Sequence, residues 1–266
     1  KIDRDVTKLV IDDPTGSLEV LVFKEEMQEI ANSLLMDQFV MVSVANGKNG
    51  GFVARDILVP DVPEHLTNRS KSETYAVLIS DLHIGSKYFM EKEFTEFVSW
   101  LSGPDPVARK IRFLLICGDV VDGVGIFPNQ DKELLLMDID EQMAKAAHLL
   151  DKIPKHIKTF IIPGNHDPGR RALPQPAIPE KHNMSLWNRE NFYMLGNPSV
   201  LELNGVRILM FHGQSLDDVV GTTPGLSYAQ PAKAMRALLR TRHLSPIYGK
   251  RTPIAPEIED FMVIND

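Results

Sequence analysis

The sequence is poor in the features that mark secreted and membrane-bound proteins. It contains one cysteine, Cys117, so no disulfide can form within the chain and a reducing compartment is expected. No apolar run approaches the roughly 18–20 residues of a membrane span, and no charged segment followed by an apolar one opens the chain. We therefore expect a soluble protein with no membrane partner, located in the cytoplasm.

Acidic residues are absent from one long stretch of an otherwise acidic chain. The net charge of −7 argues against binding to nucleic acid through a global positive field. No Asp or Glu lies between Val219 and Pro256, although six basic residues do. One surface can therefore be basic while the whole is acidic. A solvated helix face explains any single one of these charges equally well. The basic residues are Lys233, Arg236, Arg240, Arg242, Lys250 and Arg251.

The length of 266 residues allows one large domain or two smaller ones, and a hydrophobic content of 43% is enough for a sizeable core. The chain begins at Lys1 without an initiator methionine and stops at Asp266, directly after the strand-like Phe261–Ile264. We interpret it as a fragment of a longer protein.

Residues 1–62 read as short β-segments around one small helix. This pattern fits part of an OB-type β-barrel domain. Such barrels bind single-stranded nucleic acid through aromatic and basic grooves, but both residue types are scarce here, which favours a role in architecture or partner docking. The predicted strands are Thr7–Asp12, Ser17–Phe23, Gln38–Val44 and Gly51–Val59, and the predicted helix is Glu25–Leu35.

A polar, proline-containing linker is predicted at 63–74, and residues 75–266 then alternate between strands and helices. This alternation predicts an α/β domain with a parallel sheet. Amphipathic periodicity predicts helices at Glu91–Leu101, Glu133–Leu150 and Pro231–Arg242.

Four polar motifs each follow a run that reads as a buried strand. Strand ends of a parallel sheet meet at one edge, where open α/β sheets place their sites. Together the motifs predict an oxygen- and nitrogen-rich pocket for two divalent metal ions. The strands are Tyr75–Ile79, Ile111–Ile116, Thr159–Ile162 and Val206–Met210, and the motifs are Asp81-Leu82-His83, Gly118-Asp119-Val120-Val121-Asp122-Gly123, Gly164-Asn165-His166-Asp167 and Phe211-His212-Gly213.

The motifs differ in how specific they are when taken singly. Asp-x-His is weak, and His212 alone would more often be a satisfied histidine than a ligand. Three polar residues in a row after a buried strand have no packing rationale, so Gly-Asn-His-Asp is stronger. We predict that Asp119 bridges the two ions, because a carboxylate between cations neutralises charge. The predicted metal ligands are Asp81, His83, Asp119, Asn165 and His212.

Two neighbouring residues are candidates for catalysis. His166 is placed to donate to a phosphate or to protonate a leaving oxygen, and Asp167 could orient its imidazole. Asp122 could bind metal or fix the turn, of which we favour the turn. Arg170 and Arg171 lie just beyond, where a nucleic-acid backbone could meet them, although plain solvated charges are equally compatible with the sequence.

These motifs resemble those of the calcineurin-like metallophosphoesterase superfamily, in which Asp-x-His, Gly-Asp, Gly-Asn-His and a later His supply a dinuclear site. The resemblance implies an αββα sandwich and two divalent ions, often manganese, with iron, zinc and magnesium as alternatives. Members end the site with a Gly-His-x-His turn. No such turn follows Phe261–Ile264, so we expect this piece to lack two ligands and to bind metal poorly.

A closer resemblance covers nearly the whole chain. An OB-type barrel before a phosphoesterase domain, the run 118–126, the proline-rich loop Asp167–Pro179 and Arg242-His243-Leu244-Ser245-Pro246-Ile247-Tyr248-Gly249 are similar to the small subunits of archaeal D-family DNA polymerases. The resemblance implies a nucleoid-associated 3′→5′ exonuclease that proofreads single-stranded or mismatched DNA 3′ ends beside a large catalytic polymerase subunit. Two alternatives stay open: a phosphoesterase for small molecules and a non-catalytic scaffold subunit.

Overall fold

The computed structural model describes residues 6–13, 15–36, 38–47, 50–60, 67–182 and 184–264. It is a mixed α/β structure, which confirms the predicted class. Two compact units are present. The first contains the described residues up to 60 together with 215–252 and 262–264, and the second contains 67–214 and 253–261. The predicted division at 62 and 74 remains a proposal, and residues 63–66 of the predicted linker lie outside the described residues.

A four-stranded sheet with the order β1-β2-β4-β3 forms the first part of unit one. The β1–β2 and β3–β4 pairs are antiparallel, whereas β2 and β4 run parallel. Met27 and Ala31 on one face of α1 are buried in the same cluster as Val20 and Ile57. The elements are β1 (Thr7–Asp13), β2 (Gly16–Val22), α1 (Glu25–Ser33), β3 (Met41–Asn46) and β4 (Phe52–Leu58).

Two further helices belong to this unit. They are α5 (Leu216–Thr222) and α6 (Pro231–Thr241), and α6 begins with a proline at its first position, where no N–H is needed. Apolar side chains from both helices form a cluster with Leu35 and Ile247. The buried carboxylate of Asp218 accepts hydrogen bonds from the backbone N–H groups of Arg251 and Thr252, both at 2.8 Å. These bonds fix the loop that follows α6.

A parallel sheet with the order β5-β6-β7-β8 is the frame of unit two. Most residues of its central strands are buried or half-buried, and helices cover one face of the sheet. Helix α2 contributes Phe94 and Val98 to this core, and α3 contributes Met143 and Leu150. The elements are β5 (Tyr75–Ile79), α2 (Glu91–Leu101), β6 (Ile111–Cys117), α3 (Ile139–Leu150), β7 (Lys158–Ile162), α4 (Met184–Trp187) and β8 (Phe192–Met194).

The fourth predicted strand does not join this parallel sheet. It forms β10 (Val206–Met210), which pairs antiparallel with β9 (Ser199–Leu203) in a separate two-stranded sheet. Asn204 and Gly205 connect the two strands, both with positive φ, as a tight two-residue hairpin requires. Leu203 and Met210 of the hairpin pack in one cluster with Leu115, Phe160 and Ile162 of the parallel sheet. His212 therefore reaches the site from a second layer.

Several predicted boundaries need correction. The predicted helix Glu25–Leu35 ends at Ser33, and the predicted strand Gln38–Val44 is observed as β3 at Met41–Asn46. Helix α3 begins at Ile139 rather than at Glu133, because the Asp138 side chain caps it by accepting from the N–H groups of Asp140 and Glu141. Phe261–Ile264 is not a strand. It forms an isolated bridge between Val263 and His243, with Leu244 N–H donating to the Met262 carbonyl.

Among the described residues, no helix has the length and apolar character needed to cross a bilayer.

Candidate metal centre

The predicted ligands converge at the carboxyl edge of the parallel sheet. Asp81 and His83 follow β5, Asp119 follows β6, and Asn165 follows β7. His212 follows β10. Asp81, His83 and Asp119 all have φ between 50° and 55°, in the left-handed region that costs a non-glycine residue roughly 1–2 kcal/mol. Such conformations persist where the surrounding structure enforces them, most often at functional sites.

Asp119 lies at the centre of the cluster. Its side chain is buried, and its Oδ2 atom lies 3.5 Å from Nε2 of His212, 3.7 Å from Nε2 of His83 and 4.0 Å from Nε2 of His166. Its Oδ1 atom accepts a hydrogen bond from the His166 backbone N–H at 2.9 Å. Three imidazoles thus turn the same ring nitrogen toward one carboxylate oxygen.

The opposite nitrogen of each imidazole is held by an oxygen. Nδ1 of His83 lies 2.9 Å from Oδ1 of Asp122, Nδ1 of His166 lies 2.7 Å from the Asp122 carbonyl, and Nδ1 of His212 lies 2.8 Å from the Cys117 carbonyl. Because each partner is an acceptor, Nδ1 carries the proton. In a neutral ring the Nε2 lone pair then faces Asp119, as in metal-ligating histidines whose second nitrogen is hydrogen-bonded.

Asp81 and Asn165 add oxygen atoms on either side. Oδ1 of Asp81 lies 3.9 Å from Nε2 of His83, and Oδ1 of Asn165 lies 3.1 Å from Nε2 of His212. The Asp81 carboxylate is about half exposed, whereas Asp119 and His212 are largely enclosed. The cluster is therefore open to solvent on the Asp81 side.

The electrostatics of the cluster favour a positive charge beside Asp119. Burial by itself lowers the pKa of His212, but contact with the Asp119 carboxylate outweighs it and raises that pKa to about 9. Burial likewise raises the pKa of Asp119, yet the nearby His212 and His166 together bring it below its usual range. A divalent cation would supply the same positive charge.

Asp167 does not orient the His166 ring as predicted. Its buried carboxylate accepts from three backbone N–H groups, those of Gly164 at 2.8 Å, Val121 at 3.1 Å and Val120 at 3.3 Å. Burial raises its pKa to about 6, helped by the charge of Asp119 and opposed by the three N–H bonds. Within the described chain the His166 ring takes its Nδ1 contact from the Asp122 carbonyl instead.

Asp122, and not Asp167, is the carboxylate that orients an imidazole, and that imidazole belongs to His83. One carboxylate oxygen contacts Nδ1 of His83, and the other accepts from the side-chain amide of Gln130 at 2.8 Å. Both oxygens are therefore engaged, which places this carboxylate behind His83. The interpretation of Asp122 as a turn residue captured only part of this arrangement.

Two glycines allow the motifs to approach one another. A Cβ atom on Gly164 would lie 2.1 Å from Oδ1 and 2.5 Å from the backbone nitrogen of Asp119. Gly118 has φ +90°, and a Cβ there would lie 2.6 Å from Nδ1 of His212. Any larger residue at either position would displace a candidate ligand.

Sequence reasoning missed a set of buried amides that fix the site. The side-chain oxygen of Asn197 accepts from the His212 backbone N–H at 3.1 Å, and its amide donates to Gln175 at 2.7 Å. Gln175 in turn donates to the Gly164 carbonyl at 3.0 Å. Asn and Gln are common in loops, so a single sequence offers no local signal that these side chains are buried.

The two arginines beyond the Gly-Asn-His-Asp motif differ in their surroundings. The Arg170 guanidinium donates to the Pro174 carbonyl and forms an ion pair with Glu257 at 2.7 Å. Arg171 is exposed to solvent. Arg170 therefore anchors its own loop.

The arrangement satisfies the chemical requirements of a metal centre. Two groups of three side chains could each hold a metal ion, because the ligand atoms within each group lie within 4.8 Å of one another. The first group is His83, Asp122 and His166, and the second is Asp81, Asp119 and His212. Imidazole nitrogen mixed with carboxylate and amide oxygen suits several divalent ions. The class defined by this geometry is an α/β protein with a candidate site for divalent metal at a sheet edge.

Comparison with known proteins then places the chain. Residues 76–266 match the model of the DNA polymerase alpha/epsilon B-subunit family, and the chain belongs to that family. It is also similar to proteins named DNA polymerase II small subunit. That of Archaeoglobus fulgidus is 43% identical over 262 residues, which cover 96% of this chain and 53% of the relative. That of Methanothermobacter thermautotrophicus is 43% identical over 263 residues, covering 96% and 54%.

The corresponding protein of Pyrococcus furiosus is 39% identical over 265 residues, which cover 96% of this chain and 43% of the relative. The chain spans about half the length of the curated relatives it matches.

Proposed function

We propose that this protein is the small subunit of an archaeal DNA polymerase and hydrolyses phosphodiester bonds at DNA 3′ ends with two divalent metal ions. The convergence of three imidazole Nε2 atoms on Oδ2 of Asp119 is the observation that supports a metal-dependent reaction most directly. Similarity to proteins named DNA polymerase II small subunit supports the polymerase assignment. The partner would be the large catalytic polymerase subunit, and the cellular location the cytoplasm at the nucleoid.

Each residue of the cluster has a distinct part in the proposal. Asp81, His83, Asn165 and His212 would hold the ions, with Asp119 between them. The ions, manganese in our proposal, would polarise the phosphoryl group and lower the pKa of a bound water.

The chain's own proton chemistry falls to His166. Its Nδ1 proton is held by the Asp122 carbonyl, so Nε2 is the atom that would meet the phosphate or the leaving oxygen, and it would donate a proton to either from the doubly protonated ring. Asp167 supports the loop backbone rather than the reaction. Arg171 is the remaining candidate for contact with the nucleic-acid backbone.

The finer architecture is part of the same proposal. The hairpin β9–β10 packs on the face of the parallel sheet that is opposite the helices, as one sheet of an αββα sandwich would. The sheet of β1–β4 with its helix would belong to an OB-type barrel. The division into a barrel domain at 1–62, a linker at 63–74 and a phosphoesterase domain at 75–266 completes this picture.

The test is hydrolysis of a primer with a mismatched 3′ end, annealed to its template, in the presence of manganese. The complete small subunit, which contains this chain, is assayed alone and with the large polymerase subunit, beside Asp119→Ala and His166→Ala variants. We expect stepwise shortening from the 3′ end that both substitutions abolish. Hydrolysis of a chromogenic phosphomonoester without any shortening of DNA would favour a phosphoesterase for small molecules. Bound metal without either activity would favour the scaffold role.

A further inference from the structure

Exposed apolar side chains gather in the segment that borders the candidate metal centre. This segment, 123–137, connects the Asp122 turn to helix α3. The exposed members are Val124, Phe127, Leu135 and Met137.

Phe127 is the member that lies beside the candidate catalytic histidine. The centroid of its ring is 6.2 Å from that of His166, with an angle of 53° between the ring planes, and 39% of the residue is exposed. Gly123, at the start of the segment, packs so closely that a Cβ there would lie 2.4 Å from the His166 carbonyl oxygen. The aromatic ring is therefore partly exposed and lies next to the imidazole.

The position of Phe127 is fixed by a buried amide rather than left to a free loop. The side chain of Gln130 donates to the Asp122 carboxylate at 2.8 Å and accepts from the backbone N–H of Ile126 at 2.9 Å. Its own N–H donates to the Phe127 carbonyl at 3.4 Å. Through its side chain and its backbone N–H, Gln130 thus ties the backbone at Ile126 and Phe127 to Asp122, the residue that orients His83.

We propose that Phe127 is the stacking surface for the base of the 3′-terminal nucleotide, so that it positions the scissile phosphodiester over the metal centre. The inference rests on the proposed function and assigns a substrate subsite to it. In a nucleotide the base is one sugar removed from the phosphate, which matches an aromatic ring placed beside His166 rather than among the ligands. Every base has a π-face, so stacking on the ring serves all four bases.

The experiment measures binding separately from catalysis. The probe is a short single-stranded DNA with 2-aminopurine at its 3′ end and a terminal phosphorothioate linkage that resists hydrolysis. Stacking on Phe127 quenches the probe's fluorescence. We expect Phe127→Ala to weaken binding by about 5- to 150-fold, the range that stacking of a base on an aromatic ring provides. Phe127→Tyr restores binding, whereas Phe127→Leu, which is apolar but cannot stack, does not.

Tyr75 provides a matched control. It has nearly the same exposure, 37%, and it begins β5, at the edge of the sheet opposite the metal centre. Tyr75→Ala should leave binding of the probe unchanged. A second control replaces the terminal base with an abasic sugar, and its binding is measured by competition with the fluorescent probe. The wild-type protein should then bind as weakly as Phe127→Ala, and the two should no longer differ.

The outcomes separate this inference from the proposed function. If the wild-type protein binds and shortens DNA and Phe127→Ala does so equally well, the stacking subsite is wrong and the exonuclease assignment stands. Equal weakening by Phe127→Ala on normal and abasic ends would also overturn the subsite. If the complete wild-type subunit neither binds nor shortens DNA, the proposed function fails and the subsite with it.

Discussion

Replacement of Asp167 tests whether its carboxylate serves the fold or the chemistry. Asp167→Ala leaves three buried N–H groups without their acceptor, those of Val120, Val121 and Gly164. Each unpaired buried donor costs about 1–3 kcal/mol, so we expect a loss of at least 3 kcal/mol in the free energy of unfolding. Asp167→Asn keeps one side-chain oxygen, which can still accept from the N–H groups of Val120 and Gly164. Its NH₂ group then faces the N–H of Val121, and two donors cannot form a hydrogen bond with each other.

The negative charge of Asp167 lowers the stability of the fold, whereas its hydrogen bonds raise it. Burial is the main cause that raises its pKa to about 6, from 3.8 for an exposed group. The folded protein therefore takes up this proton more readily than the unfolded chain. The resulting stability is fully present below about pH 4 and is lost as the pH rises through 6. Asp167→Asn removes the charge, which offsets much of the cost of its mismatched donor at pH 8.

Both effects are measured by urea unfolding and amide hydrogen exchange, with a chelator present. We expect Asp167→Ala to lose protection at Val120, Val121 and Gly164, and Asp167→Asn to retain most of it. Between pH 5 and pH 8 the wild-type protein should lose about 1 kcal/mol relative to Asp167→Asn, by the linkage of this single group. Unchanged stability and exchange in Asp167→Ala would refute the assignment of these bonds as its main role.

Three further predictions concern other parts of the chain. In the complete small subunit, Gly164→Ala should weaken manganese binding about tenfold or more, measured by titration calorimetry, because its Cβ meets Asp119; Gly221→Ala, in open space within α5, is the control and should bind normally. Asp218→Ala should lower the free energy of unfolding by about 2–4 kcal/mol in urea, because two N–H groups lose their acceptor; wild-type stability would contradict this. Cys117 should react with Ellman's reagent far more slowly in the folded protein than in urea, because burial raises the pKa of its thiol; equal rates would exclude an enclosed thiol.

The local patterns of the chain predicted its elements well. The expected strand at Tyr75–Ile79 and the expected helix at Glu91–Leu101 have the observed bounds. The strand is a continuous apolar run, and the helix repeats its apolar residues with helical spacing. The start of α3 was misplaced because Leu134–Leu136 continues the apolar pattern, whereas Asp138 supplies the cap.

The partners of the elements were harder to predict. Val206–Met210 reads as a strand, but nothing in its residues distinguishes a parallel neighbour from an antiparallel one. The roles of Asp122 and Asp167 were exchanged for a related reason. Both carboxylates follow a strand, and only the three-dimensional arrangement shows which of them reaches an imidazole and which reaches backbone N–H groups.

The arrival of His212 from the separate hairpin β9–β10 has a consequence for how the site and the fold depend on each other. Its backbone is tied to Asn197, just before the hairpin, whereas Asp119 belongs to the parallel sheet. Under the proposed metal role, an ion bound by His212 and Asp119 would link the β9–β10 hairpin to the parallel sheet. Each tenfold excess of ion over its dissociation constant would then resist separation of the layers by about a further 1.4 kcal/mol. The packing of Leu203 and Met210 would in turn set how tightly the ion is held.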